Sequence, residues 1–131
     1  MNARLERAAK EGDANAITAE ISAGANVDAL DRFGQTALML AARHGHLAVV
    51  ELLIRAGAAL DITAKYGLSA TMLAVINQND EVARALAAAG ANLRLVGSGA
   101  PGFAYKTAAQ LAADAGLRSL AEALLRMQEQ S

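Results

Sequence analysis

The sequence predicts an all-α solenoid of four stacked helix-turn-helix units joined by short β-hairpin loops. Three observations carry that expectation. The chain repeats itself at a spacing of 33 residues, with Gly34 answered by Gly67 and Gly24 by Gly57 and Gly90. It is rich in Ala, has a single Pro and only 3% aromatic residues, so its core has to come from Ala, Leu, Val and Ile on closely packed helices. A Ser or Thr stands before the Ala/Leu runs and a Gly after them, the punctuation of short helices that are stable only when stacked.

The first unit, residues 1–28, has its interhelical break at Gly12 and its second terminator in Ala23-Gly24-Ala25-Asn26-Val27-Asp28. In the second, 29–61, Thr36 caps the run Ala37-Leu38-Met39-Leu40-Ala41-Ala42, Gly45 breaks it and Gly57 ends the second helix. The third, 62–94, repeats this with Ser69 before Ala70-Thr71-Met72-Leu73-Ala74-Val75 and Gly90 at the end. There Gln78 occupies the place of the interhelical Gly, so the turn has to differ or carry strain. The fourth, 95–131, starts its first helix after Thr107 and breaks at Gly116. Its register is displaced by five extra residues within Val96–Lys106, which predicts a longer finger pinned only if Phe103 or Tyr105 packs. Arg7 and Glu20 replace Leu40 and Leu53 of the second unit. Arg118, Glu122, Arg126, Gln128 and Glu129 make the last helix polar. The first and last units therefore read as caps of a complete small solenoid in a single domain, 1–131.

A 33-residue turn plus two helices resembles the ankyrin repeat. The motif T-P-L-H-x-A of that family stands here as Thr36-Ala37-Leu38-Met39-Leu40-Ala41, its interhelical G-H as Gly45-His46, and its G-A-x-V-x signature at Gly24-Ala25-Asn26-Val27-Asp28 and Gly57-Ala58-Ala59-Leu60-Asp61. The motif's Pro is Ala throughout and its His is Met39, Met72 or Gln110. The resemblance implies a module that binds proteins on a concave surface of hairpin tips and first helices.

Composition excludes several function classes. Twelve Lys and Arg against thirteen Asp and Glu leave a formal charge of −1 with no basic run, unlike a protein that neutralises phosphates. An apolar content of 54% opposes disorder, and no apolar stretch approaches the ~20 residues of a membrane helix. Without Cys there are no disulfides, thiolate zinc sites or Cys nucleophiles. The N-terminal stretch lacks the apolar core of a secretory signal, which places the chain in the cytoplasm, although a cleaved leader would leave no trace.

Catalytic chemistry finds little support. His44 and His46 flank Gly45, where a turn can bring them together, but a metal needs further ligands; as the loop His of the family, His46 is expected to bond to backbone in the turn. Thr36 and Ser69 are caps with no His–carboxylate pair beside them. The Gly-rich stretch at 97–102 lacks the Lys-Ser/Thr ending of a phosphate loop. Asp28 and Asp61 share one repeat position and are expected to bond to loop backbone. No cofactor or metal is expected.

The four aromatics all fall in inter-repeat loops: Phe33 and Tyr66 one repeat apart, Phe103 and Tyr105 in the insertion. Two explanations stand: the rings pack along a row of hairpins, or they anchor a partner. Arg32 and Lys65 precede Phe33 and Tyr66; alone, each is ordinary solvated loop charge. Carrying the family's concave surface over by position gives Arg32, Phe33, Gln35, Arg43 and His44, then Lys65, Tyr66, Leu68, Ile76 and Asn77, with Phe103 and Tyr105 from the finger. The expectation is a monomeric, non-enzymatic module for a protein partner, with a mildly basic surface suited to an acidic or mixed patch. The alternatives are a dedicated inhibitor or immunity-type protein, a metal-dependent activity at His44 and His46, or self-association through the third hairpin. The third unit is expected to be the softest, because Val50, Leu52 and Ile54 become Ala83, Ala85 and Ala87 and Leu38 becomes Thr71.

Overall fold

The structure, a computed structural model, describes residues 1–99 and 102–130; Ala100 and Pro101 of the insertion, and Ser131, lie outside. Among the described residues there are four helix pairs: α1 (Ala3–Glu11) with α2 (Ala14–Ser22), α3 (Ala37–His44) with α4 (Leu47–Arg55), α5 (Ala70–Ile76) with α6 (Asp80–Ala88), and α7 (Ala108–Asp114) with α8 (Arg118–Gln130). First helices stack on first helices, α1 on α3, α3 on α5 and α5 on α7. Second helices stack in the same order, which gives two parallel layers.

The two layers bury different amounts because their sequences differ. Ala37 through Ala42 of α3 are all buried, as are Ala70 through Val75 of α5; a helix apolar on every side has to lie between neighbours on both. The outer helices bury one face only: Val49, Val50 and Leu53 in α4, and Val82, Ala83 and Leu86 in α6. That corrects the expected comparison of units two and three. Leu52 and Ile54 are only half-buried, so Val50 against Ala83 is the one fully buried truncation of the three. Thr71 lies in the core at 2% exposure, and its Oγ1 has no hydrogen-bond partner among the described residues.

Thr36, Ser69 and Thr107 cap their helices, each side chain accepting from the backbone N–H three residues on, and Gln110 completes a reciprocal box with Thr107. Asn2 and Asp13 cap α1 and α2 in the same manner. The second helices end in a repeated bond, Ala25 N–H to Glu20 C=O, then Ala58 to Leu53 and Ala91 to Leu86. Gln78 does adopt the left-handed conformation of the glycines it replaces, at φ 62°.

The α4 and α6 starts use their first residue differently. His46 and Asn79, 33 residues apart, make no cap bond with their own helix. Instead His46 Nε2 lies 2.7 Å from the Lys10 carbonyl, and Asn79 Nδ2 donates to the Ala42 carbonyl at 2.8 Å and the Arg43 carbonyl at 3.1 Å. Each therefore reaches C-terminal carbonyls of the preceding unit's first helix. That departs from the expected bond within His46's own turn. It also explains Gly12 and Gly45 beyond their φ of 75°: a Cβ at Gly12 would lie 2.4 Å from the His46 ring, and one at Gly45 2.8 Å from the Asn79 amide.

Among the described residues, the loops expected as β-hairpins are tight turns in which no strand forms. The Asp31 N–H bonds to the Gln35 carbonyl and the Ala64 N–H to the Leu68 carbonyl, closing each loop with one cross-bond. Asp31 Oδ1 accepts from the Phe33 and Gln35 N–H groups and tightens the first of them. Successive loops are tied by carboxylates at the recurring position: Asp28 accepts from Ala59 N–H at 2.9 Å and Asp61 from Asn92 N–H at 2.7 Å. The insertion folds back through an isolated bridge between Gly97 and Ala104.

Candidate functional site

The loop between α4 and α5 carries backbone strain at its tip. Lys65–Gly67 form a single 3-10 turn in which Tyr66 sits at φ 65°, a conformation that costs a non-glycine residue about 1 kcal/mol. The finger then locks onto that tip. Ser98 N–H donates to the Tyr66 carbonyl at 2.7 Å, and the half-buried Phe103 ring meets Tyr66 with centroids 5.9 Å apart and a 46° tilt. Phe103 and Ser98 thus pin the insertion, whose two central residues are among those outside the described set.

Between this tip and the preceding loop lies a cleft of about 230 Å³. Six of the residues singled out from sequence line it: Phe33, Gln35, Arg43, Lys65, Tyr66 and Leu68. Ala64 and Leu73 complete it. Phe33 stands 65% exposed and Tyr66 38%. Each ring is covered on one side by the cation before it in sequence, Arg32 Cζ at 5.2 Å from the Phe33 centroid and Lys65 Nζ at 4.9 Å from that of Tyr66. Gln35 Oε1 is buried without a hydrogen-bond partner among the described residues. Leu68, expected on the surface, is buried and contributes only cleft floor: it follows the turn directly and faces the core beneath Ser69.

The remaining expected residues do not line this cleft. Ile76 is half-buried against the core, and the Asn77 amide donates to the Leu73 carbonyl, closing the end of α5. Tyr105 is 85% exposed at φ 62° and stands two residues before Thr107, as Gly34 stands before Thr36 and Gly67 before Ser69; an aromatic occupies a glycine position. His44 stacks on His46 with centroids 6.2 Å apart. Desolvation at the end of α3, followed by the nearby His46, Arg43 and Lys10, holds His44 below its ordinary 6.5. No third ligand joins the pair: among the described residues no group of three His, Asp or Glu side chains could hold a metal ion.

Sequence reasoning missed Ala64 and Leu73 in the cleft, and a second concavity at the far end of the stack. Between α7 and α8, Ala109, Ala113, Ala121 and Leu125 line an apolar trough of about 260 Å³ beside Gln110 and Glu122. Ala109, Ala113 and Ala121 gave no signal there, since Ala recurs throughout the helices. Among the described residues, no helix is long and apolar enough to cross a membrane.

No curated protein matches the chain. A family profile for ankyrin repeats in three copies does match, over residues 5–97, which takes in the first three helix pairs and the loops that form the cleft. Members of this family are in general protein–protein interaction modules and typically non-enzymatic. The stacked helix pairs, the 33-residue register and this match together place the chain in the ankyrin repeat family.

Proposed function

We propose that the chain is a monomeric, non-enzymatic module that binds a protein partner through the cleft between the Phe33 and Tyr66 loops, with Arg32, Arg43 and Lys65 around it. The observation that carries this reading is the pairing of two exposed rings across a concave site of single-side-chain size on neighbouring, mutually bonded loops. Aromatic and Arg side chains in such pockets supply most of the energy of protein interfaces. The loops are already ordered by the Asp28–Ala59, Asp61–Asn92 and Ser98–Tyr66 bonds, so little entropy is lost when a partner docks.

The test is a selection of binders from a displayed library of natural protein fragments, followed by titration against Phe33→Ala and Tyr66→Ala. Each variant should lose about 1–3 kcal/mol of binding with helicity and unfolding midpoint little changed. Selected binders that hold the double variant as tightly as the parent would place the binding surface elsewhere.

A further inference from the structure

We infer that the segment seated in this cleft is acidic and carries one apolar side chain, which enters between Phe33 and Tyr66 while its carboxylates meet Arg43 and Lys65. The inference rests on the cleft being the binding site and adds the chemistry of what fills it.

Charge points one way. Arg43 and Lys65 line the cleft and no Asp or Glu does. The ion pairs among the described residues, Arg4–Glu20, Lys10–Glu6, Arg84–Asp80 and Lys106–Asp114, use neither of them, nor Arg32. In the Phe33 loop, the Asp31 carboxylate is engaged at Oδ1 by two backbone N–H groups. The chain as a whole is at −1, so this is a local cationic excess rather than the character of the surface. A basic segment would meet like charge at Arg43 and Lys65, whereas a carboxylate finds there two cations in no ion pair among the described residues.

Shape and polarity fix the rest. The floor and walls are Ala64, Leu68, Leu73 and the two rings, an apolar lining with room for a side chain and not for a folded surface. Lys65 lies over the Tyr66 ring, so its ammonium is already placed at the rim.

Fluorescence anisotropy with three labelled peptides tests this: an acidic peptide with one central Leu, the same peptide with that Leu replaced by Ser, and the same with every Asp and Glu replaced by Lys. The acidic Leu peptide should bind the parent protein, weaken as salt rises, and bind roughly tenfold or more better than either of the others. The double variant Arg43→Glu/Lys65→Glu should lose it, and the milder Arg43→Gln/Lys65→Gln should weaken it with the helical spectrum unchanged. Equal binding of the acidic and Lys peptides, both still dependent on Phe33 and Tyr66, overturns the charge assignment and leaves the site standing. Equal binding of the Leu and Ser peptides overturns the apolar anchor. Binding of the acidic peptide that ignores Phe33→Ala/Tyr66→Ala overturns the site itself. No binding of the acidic peptide at millimolar concentration overturns the inference.

Discussion

Replacing Thr71 by Val should stabilise the protein. The side chain is 2% exposed inside α5, stacked between α3 and α7, and its hydroxyl meets no acceptor or donor among the described residues. The unit before it has Leu38 at this position, also buried. A buried hydroxyl without a partner costs about 1–3 kcal/mol, and Val has nearly the shape and helix propensity of Thr, so the exchange removes the penalty without opening a cavity. A gain of about 1–2 kcal/mol should appear as a urea midpoint raised by about 0.5–1 M at constant slope, followed by far-ultraviolet circular dichroism. Thr71→Ala provides the control: it removes the hydroxyl but also a methyl worth ~1 kcal/mol, and should fall near the parent. A midpoint for Thr71→Val equal to or below the parent, with the same slope, would show that the hydroxyl is satisfied and that this position does not soften the third unit.

Three further outcomes follow from the geometry. Gln78→Gly relieves a left-handed residue at φ 62° and should add about 1 kcal/mol, seen as a raised midpoint and as slower hydrogen exchange across 70–89; an unchanged midpoint would mean the turn carries no strain. Gly12→Ala should cost about 2 kcal/mol or more, because its Cβ drives into His46 and breaks the reach to Lys10. Gly24→Ala, with φ 84° but open space around it, should cost only about 1 kcal/mol, and equal losses for the two would remove the His46 contact from the account. His44 has its folded pKa lowered, so the unfolded chain binds the proton first on acidification. Stability should fall as pH drops below 6.5 and level off beneath the folded value. Comparing urea midpoints at about pH 8 and about pH 5, His44→Gln should lose less than the parent; identical losses would assign the acid limb to other groups.

The features legible in the sequence are those set within a few residues of the side chain that causes them. Thr36, Ser69 and Thr107 each sit three residues from the N–H they cap, and Gln78 reveals its strain by standing where Gly12 and Gly45 stand. What escaped notice joins residues a whole repeat apart or hides behind the insertion. The reach of His46 to Lys10 and of Asn79 to Ala42 spans 36 and 37 residues and depends on how two units stack. Tyr105 was visible as an aromatic, but its glycine position emerges only once the five extra residues are removed from the register. For the candidate site, the family resemblance, carried over by position, supplied six of the cleft residues. It misjudged the exposure of Leu68, and it could not supply Ala64 or Leu73, since lining a cleft is a property of two loops together. Leu52 and Ile54 show the same limit: an aliphatic residue in an outer helix is half-buried or buried according to rotation, which the repeat pattern leaves free.

The central claim is that the partner seats between the Phe33 and Tyr66 loops. Hydrogen exchange of the free protein and of its complex with a selected binder tests it most directly. Protection on binding should concentrate at 31–35, 43–45, 64–68 and the Ser98 amide, with α2, α4, α6 and α8 unchanged. Protection confined to α4 and α6, or to the trough between α7 and α8, with these loops exchanging as in the free protein, would contradict it.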